Sequence, residues 1–192
     1  MINVKCLLGK LFLIHRSDIE LFHTYNSQKI SGNPCPICGH SSGFADHSWY
    51  ERDFVYEDKG VIKNQRVKIR IVRCKYCSKL HSILPDVAVP FSSFSLLFIL
   101  KVIRAYLMKK DTVSNICERW QIAPATLYSW VRRFHEQFRA WQKIVSCHAS
   151  DPIEFVFQTD SFPELFRKTA GYSFMSVPQR GCSSDTVIPP DS

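Results

Sequence analysis

Alternation of hydrophobic and polar residues predicts a β-hairpin in the first half of the chain. Between residues 61 and 72, Val67, Ile69 and Ile71 alternate with Lys68 and Arg70, which is the period-two pattern of a half-buried strand. Residues 49–56 also favour a strand, and the intervening Glu-Asp-Lys-Gly at 57–60 is typical of a turn. Two prolines within residues 80–90 indicate an extended connection after the hairpin.

The second half of the chain has helical periodicity. A broad apolar face predicts a first helix that ends near residue 109 and is capped by a serine at 92, 93 or 95. A second helix spans 113–120, capped by Asp111 or Thr112, and a third opens at Pro124, where a missing N–H costs nothing. Apolar residues spaced 3, 4, 4, 3 and 4 apart extend one side of that helix: Leu127, Trp130, Phe134, Phe138, Trp141 and Val145.

These patterns predict an α+β fold with four consecutive parts. Residues 1–31 form an N-terminal segment, with a helical turn capped by Ser17 or Asp18, that packs on the following hairpin. Residues 32–90 hold the small hairpin, residues 91–145 hold the three helices, and residues 146–192 form a largely irregular, flexible and acidic tail.

Two C-x-x-C pairs carry the strongest chemical signal in the chain. Cys35 and Cys38 precede the predicted hairpin, and Cys74 and Cys77 follow it. Each pair turns the backbone so that both sulfurs point to one spot, so two pairs predict a closed, structural zinc site for one Zn²⁺. Gly39 suits the turn after the first pair, and Ser78 takes that place after the second.

Three histidines near these cysteines offer alternative ligands. His81, four residues after Cys77, is the most plausible of them, with His40 and His47 behind it. Because four cysteines already complete a tetrahedral shell, we expect none of the three to bind the metal. A hairpin this small is expected to bury little core, so a chelator should unfold residues 35–80 and spare the helices.

Residues 112–134 have the pattern of a helix-turn-helix, which places its second helix in the major groove of DNA. Gln121 stands where the turn usually has glycine, and Ala123 stands where a Ser or Thr cap is usual. Outward-facing residues of the third helix are predicted to meet base edges: Ala125, Tyr128, Ser129 and Arg132. Basic residues around it are predicted to hold phosphates: Arg133, Arg119, Lys109 and Lys110.

Net charge agrees with a nucleic-acid partner. The four predicted parts carry +2, +3, +6 and −3, where the hairpin part is counted from residue 35, which gives 2 + 3 + 6 − 3 = +8. The excess of positive charge therefore peaks on the three helices, where phosphates would be met.

The apolar run near the N-terminus is interrupted by Lys10 and lacks a cleavage site, and residues 91–108 include Lys101 and Arg104. We therefore expect no signal peptide, no membrane span and a cytoplasmic protein.

Three segments together resemble a known family: CPICG at 35–39, RCKYCSKLHSILPDVAVPF at 73–91 and the helix-turn-helix. Over residues 30–140 the chain resembles bacterial insertion-sequence-associated proteins that join a zinc ribbon to a helix-turn-helix. It is also similar to the N-terminal DNA-binding region of transposases. The resemblance implies recognition of mobile-element DNA, such as transposon ends, in a protein associated with the bacterial nucleoid.

The function expected from sequence is sequence-specific binding of double-stranded DNA without catalysis. Only six acidic residues follow residue 145, too few in too short a segment for the carboxylate-rich catalytic domain of a transposase. We therefore expect a mobile-element accessory protein or a truncated transposase, without a small-molecule substrate. The alternative is a zinc-ribbon adaptor that recruits a protein, such as a separately encoded transposase, or pairs with a second copy through the long third helix. A metal-dependent nuclease is the weakest hypothesis, because four cysteines leave no metal position for water.

Overall fold

The computed structural model describes residues 2–4, 17–26, 34–41, 43–85, 87–145 and 175. Its strands form one sheet and three of its four described helices follow that sheet in the chain, which confirms the predicted α+β class. The elements in chain order are β1 (Ile2–Val4), α1 (Asp18–Asn26), β2 (Phe44–Asp58), β3 (Val61–Cys74), β4 (Leu80–Pro85), α2 (Leu96–Leu107), α3 (Val113–Trp120) and α4 (Pro124–Val145). The sheet order is β1-β4-β3-β2, in which β2, β3 and β4 are antiparallel and β1 runs parallel to β4.

The hairpin of β2 and β3 is longer than predicted and is closed by a two-residue turn. Lys59 and Gly60 both have positive φ, 51° and 82°, the pattern of a type I′ turn whose twist matches that of paired strands. Val67 and Ile69 are buried as the alternation predicts, but Ile71 is only half-buried and Val72 is buried instead. Near this point the β2–β3 register shifts between Asp46 and Ser48, because a bulge inserts one extra residue.

The predicted extended connection contains a third strand of the antiparallel sheet. β4 pairs with β3 through Val72 opposite His81, with flanking pairs on either side. It also receives β1 on its other edge, where Ile2 lies opposite Ile83. The two prolines that indicated a connection fall at the last residue of β4 and at the following turn, so they end the strand without interrupting its ladder.

A first core lies between the sheet and α1. Leu21 and Phe22 of α1 are buried against the sheet, where the rings of Phe22 and Phe54 lie 5.1 Å apart. At the start of α1 the backbone N–H of Ser17 donates to the carboxylate of Glu20, 3.1 Å away, one half of a capping box. The remaining members come from β2, β3, β4 and the segment after it: Tyr56, Val67, Ile69, Val72, Ile83, Leu84, Val87 and Ala88.

A second core is formed by the three C-terminal helices. Ser95 caps α2, as one of the three predicted candidates, by accepting a hydrogen bond from the N–H of Phe98 at 3.1 Å. Phe94 and Phe98 of this region surround Trp130 of α4, with ring centroids 4.9 and 6.3 Å away. Val55 and Ile62 of the hairpin pack against the same core, so the sheet and the helices form one packed body.

This packing changes the expected dependence on metal. The hairpin buries Phe54, Tyr56, Val67 and Ile69 in the first core, so much of its folding energy comes from apolar burial. The expectation that a chelator would unfold all of residues 35–80 is therefore too broad. The two cysteine loops, residues 35–41 and 74–79, contain no large buried apolar side chain, so they are the part expected to depend on the metal.

Two predicted features lie outside the residues that the structure describes. The tail at 146–192 lies outside the described residues apart from Met175, and so do the side chains of Phe138, Trp141 and Val145. Across the described ranges, no helix combines the length and apolar character needed to cross a membrane.

Candidate metal centre and candidate nucleic-acid interface

The four cysteine sulfurs meet at one end of the hairpin, as the two C-x-x-C pairs predict. Their Sγ atoms all lie within 4.8 Å of one another. The Sγ atoms of Cys35 and Cys77 are 3.7 Å apart, and those of Cys38 and Cys74 are 3.8 Å apart. Sulfurs that each lie about 2.3 Å from a tetrahedral centre are about 3.8 Å from one another, so the cluster can hold a metal ion.

The two cysteine loops have the same backbone hydrogen bonds. In the first, the N–H of Gly39 donates to the Cys35 carbonyl at 2.9 Å, and the N–H of Cys35 donates to the His40 carbonyl at 3.0 Å. In the second, Ser78 donates to Cys74 at 3.0 Å and Cys74 donates to Lys79 at 2.9 Å. Two copies of one turn thus face each other across the cluster.

Both loops need a left-handed residue directly after the second cysteine. Gly39 has φ 72° and Ser78 has φ 59°. Glycine adopts this conformation freely, whereas serine does so against the steric preference of its Cβ. Both turns therefore lie where the cysteine spacing predicts them, including the one with the less suitable residue at 78.

Backbone donors in each loop favour the thiolate form of its first cysteine. Burial raises the pKa of the Cys35 thiol, but hydrogen bonds from the backbone N–H groups of Cys38 and Ile37, together with those from the thiols of Cys38 and Cys74, outweigh it and bring the pKa to about 7. The N–H of Cys77 lowers the pKa of Cys74, and the N–H of Tyr76 acts in the same direction. Since thiolates are the metal-binding form of cysteine, these donors favour a cation at Cys35 and Cys74. At Cys38 the His40 N–H lowers the pKa, but burial and the three neighbouring thiols outweigh it and raise the pKa to about 12.

His81 lies beside the four sulfurs without belonging to the group. Its Nε2 is 3.3 Å from the Sγ of Cys35, its side chain is buried, and its ring lies edge-on to Phe44. Burial lowers the pKa of His81, so the ring is neutral and its one N–H can donate to the Cys35 sulfur. Its position four residues after Cys77 marked it as a candidate ligand, but only β4 pairing shows how it reaches Cys35.

The other two histidines have different surroundings. The His40 ring stacks on Tyr76 of the opposite loop with centroids 3.5 Å apart, and its Nδ1 lies 3.2 Å from the Cys38 carbonyl. His47 is exposed at the register shift of β2, where its Nδ1 lies 3.0 Å from the Ser48 hydroxyl. Neither histidine belongs to the close group of four cysteines that could hold a metal ion.

The second predicted site is built on α3, α4 and the turn between them. Thr112 caps α3 by accepting from the N–H of Asn115 at 3.2 Å. Gln121 ends α3 with φ 50° and ψ 46°, the left-handed conformation that the sequence analysis assigned to a position usually held by glycine. The next residue, Ile122, donates its N–H to the Cys117 carbonyl at 3.0 Å. This sharp turn ends α3 and lets α4 begin at Pro124.

Buried residues fix α4 against α2 and α3 and determine which side faces outward. The buried set between the helices comprises Ile116, Cys117, Ile122, Leu127, Trp130 and Val131, and Trp120 packs against it. On the opposite side Ala125, Tyr128 and Arg132 are exposed, and Ser129 is half-buried. Arg132 lies 3.7 Å from Glu136 one turn later, with both side chains largely exposed.

The predicted phosphate-binding residues have varied surroundings. Lys109 and Lys110 are exposed just after α2, at the end where Tyr106 lies edge-on to Tyr128 of α4. Arg119 pairs with Asp111 at 2.9 Å. Arg133 donates to the Met175 carbonyl at 3.1 Å. Asp111 was predicted only as an alternative cap to Thr112, and Tyr106 and Met175 were not singled out from sequence, because these contacts are made across the fold.

Comparison with known proteins yields one family. Residues 35–130, half of the 192-residue chain, match the family described as a domain of unknown function, DUF6431. The match begins at the first cysteine of the cluster and ends within α4. Neither the curated proteins nor the solved structures contain a significant match to the chain.

Proposed function

The chain belongs to the DUF6431 family, and from its two sites we propose that it is a sequence-specific binder of double-stranded DNA. In this proposal α3 and α4 act as a helix-turn-helix whose second helix enters the major groove. The sheet with its cysteine cluster acts as a zinc ribbon that braces the helices. The protein serves a mobile genetic element and acts without chemistry of its own.

One observation carries the proposal: α4 exposes Ala125, Tyr128 and Arg132 at its N-terminal half directly after a left-handed turn at Gln121. An exposed stripe at the start of the second helix is what a helix-turn-helix offers to base edges. Arginine can bind guanine with two hydrogen bonds, and the alanine methyl can contact a thymine methyl. Tyr128 has the reach to contact either a base or the backbone.

Positive charge around this stripe supports the same function. Lys109 and Lys110 are exposed near the Tyr106–Tyr128 contact, so they flank the proposed reading residues. Arg119 and Arg133 add two cations on α3 and α4, although each has a partner, in Asp111 and in the Met175 carbonyl. Release of counterions from DNA by such residues provides affinity that does not depend on sequence.

Zinc is the metal that best suits the cysteine cluster. Zn²⁺ prefers four ligands in tetrahedral geometry, and four thiolates form its most common closed structural site. A closed shell leaves no position for a reactive water, so the proposed role is to fix the two cysteine loops to each other. Arg73 at the end of β3 and Lys75 and Lys79 of the second loop offset the negative charge that four thiolates leave around a divalent ion.

An adaptor function is favoured by a different observation. Ile37 and Tyr76 take equivalent positions in the two cysteine loops, and each is 62% exposed. Exposed apolar side chains on a metal-bound tip suit contact with a protein such as a separately encoded transposase. Salt separates the two functions, because DNA affinity falls steeply with salt concentration whereas an apolar contact does not.

Selection of bound sequences from a random DNA pool tests the proposed function. The full chain is purified with its metal, and recovered DNA is sequenced after several rounds at moderate salt. Enrichment of one motif, with affinity that drops steeply as salt rises, is the expected result. Failure to enrich any motif, together with salt-independent capture of a transposase by the protein, would favour the adaptor and reject DNA reading.

A further inference from the structure

The two cysteine loops are attached to the sheet in different ways. The second loop joins β3 to β4, and these strands pair with each other directly beside it, so the sheet holds both ends of the loop. The first loop continues into β2 at its later end, and Cys35 lies at its other end. A contact from the sheet to Cys35 would therefore fix the end that β2 does not hold.

His81 of β4 makes that contact. Its Nε2 lies 3.3 Å from the Sγ of Cys35. Both residues are buried, with 2% of each exposed to solvent. Because water is excluded from this contact, a hydrogen bond between the two side chains is stronger than it would be at the surface.

Backbone pairing and ring packing fix the His81 side chain without help from the metal. His81 lies directly opposite Val72 in the ladder between β3 and β4. Its ring is edge-on to Phe44, with 5.8 Å between the centroids, and Phe44 is itself held in β2 opposite Cys74. The imidazole is thus a rigid support on the sheet, against which the first loop can be placed.

The chemistry of the sulfur determines the direction of the hydrogen bond. Cys35 binds a cation as a thiolate, which has no hydrogen to donate. An attractive contact at 3.3 Å then requires that Nε2 of His81 carries the hydrogen. A hydrogen bond of this kind to an ionised acceptor is charge-assisted and therefore stronger than one between neutral groups.

His81 is placed to support a ligand and not to be one. Among the described residues, the side chains whose ligand atoms all lie within 4.8 Å of one another are the four cysteines, and His81 is outside that group. A histidine nitrogen bound to the same ion would lie about 2.0–2.1 Å from it and hence close to every sulfur. Residues that donate to a metal ligand without touching the metal orient that ligand and tune the affinity.

We propose that His81 is a positioning residue of the metal centre, which donates a hydrogen bond from Nε2 to the Cys35 thiolate and thereby strengthens zinc binding. The bond connects the first cysteine loop to β4 and offsets part of the negative charge on one of the four sulfurs. This inference rests on the zinc site of the proposed function and does not depend on DNA binding.

Competition with a chromophoric chelator measures the affinity of the folded full chain for zinc. His81→Leu fills a similar buried volume but has no donor, and we expect its Kd for zinc to rise by about 10–100-fold. His81→Met is a second variant without a donor, whose flexible side chain adapts to the site, and it should behave in the same way. His81→Gln keeps an N–H donor at the end of its side chain and should recover most of the lost affinity.

His47→Leu is the matched control. His47 is an exposed histidine of the same hairpin and lies outside the cysteine group, so this variant should bind zinc like wild type. Circular dichroism of each variant establishes that it is folded before its affinity is compared.

The absorption spectrum of the cobalt(II)-loaded protein separates support of a ligand from ligation itself. Its bands respond to the number of sulfur and nitrogen ligands around the ion. At saturating cobalt, wild type, His81→Leu and His81→Met should therefore give the same four-thiolate spectrum, although the two variants need more cobalt to reach it.

Two results would overturn the proposal. One is equal zinc affinity in wild type and in folded His81→Leu and His81→Met. The other is a cobalt spectrum that loses a nitrogen ligand in these variants, which would make His81 a ligand. A wild-type protein that binds neither zinc nor cobalt would reject the metal site together with the role of His81, whereas a DNA selection that enriches no motif would leave both intact.

Discussion

Phe54 and Val55 are neighbours in β2 but pack into different cores. Phe54 is fully buried between the sheet and α1, beside Phe22, whereas Val55 packs against the three C-terminal helices. Val55 also joins the segment before α2 through main-chain hydrogen bonds, to the Ser93 carbonyl at 2.7 Å and from the Ser95 N–H at 2.8 Å. The hairpin is therefore the shared wall of both cores.

This arrangement limits what loss of the metal can do. Purified protein should contain one zinc ion per chain, and chelation should remove amide-exchange protection from the two cysteine loops, residues 35–41 and 74–79. The strands near Phe54 and Val55 and the three helices should stay protected, because their cores contain no metal ligand. Hydrogen exchange with metal analysis provides the measurement.

Single cysteine variants provide the control for the chelation experiment. Cys35→Ser should lose the zinc, whereas Cys117→Ser should keep it, since Cys117 lies in the helical core. Equal zinc content in Cys35→Ser and wild type would contradict the assignment. Loss of protection throughout α2 and α4 on chelation would show that the metal supports the whole fold.

Asp18 should make stability depend on pH. Burial raises the pKa of its carboxyl to about 6, despite a hydrogen bond from the Ser95 hydroxyl and the nearby charge of Lys101, with Glu57 adding to the increase. The folded protein then binds more protons than the unfolded chain between about pH 4 and 6. Stability should therefore fall as pH rises through this window, by about 3 kcal/mol.

Asp18→Asn tests this dependence. Asparagine can still accept the Ser95 hydrogen bond but has no charge to bury, so the variant should be more stable than wild type at pH 7–8 and similar to it below pH 4. Denaturant unfolding at several pH values gives the comparison. The exposed Glu118→Gln variant should follow the wild-type curve, and an Asp18→Asn curve parallel to wild type would show that Asp18 is not the cause.

Gln121→Gly should stabilise the protein. Gln121 is exposed and left-handed at the end of α3, and glycine adopts that conformation without steric strain. We expect a gain of about 0.5–1 kcal/mol in the free energy of unfolding. Gln121→Ala keeps the strain and should give no such gain in the same denaturant titration, so equal effects of the two substitutions would contradict this explanation.

Arg132 and Lys109 should affect DNA binding in different ways. Arg132→Ala should weaken binding to a selected site by about 1–3 kcal/mol and relax specificity at one position, whereas Lys109→Ala should weaken binding to all sequences and lower the salt dependence. The Arg132–Glu136 pair is exposed, so its loss should not destabilise α4 measurably.

Arg66→Ala on β3 is the matched charge control, because it removes one exposed cation outside the proposed interface. Fluorescence anisotropy with the selected duplex and with a scrambled duplex separates base reading by Arg132 from phosphate contact by Lys109. If Arg66→Ala, Arg132→Ala and wild type bind the selected duplex equally, α4 does not read the bases.

Local chemistry made several elements predictable. The alternation around Val67 and Ile69 indicated a strand, the caps at Ser95 and Thr112 indicated helix starts, and the position of Gln121 indicated a left-handed turn. The cysteine spacing indicated the cluster at Cys35, Cys38, Cys74 and Cys77. Each of these features depends on residues that are close in the sequence or on a repeated short turn.

Other features depend on contacts between distant segments and were missed for that reason. β4 is a strand because it pairs with both β3 and β1, although the prolines at its last residue and five residues later indicated an irregular connection. Asp18 is buried where it accepts a hydrogen bond from Ser95, which lies 77 positions later. His81 lies beside Cys35 only because β4 pairs with β3.

By itself, the amino-acid sequence determined the α+β class, the order of hairpin and helices, and the four sulfurs available to a metal, since periodicity and short turns are set by neighbouring residues. Only the tertiary structure decided that the hairpin is shared between two cores and which side of α4 remains exposed. Those outcomes depend on which apolar faces pack against one another. Because the hydrophobic effect is non-directional, every segment within reach competes for burial, so the whole chain determines the result.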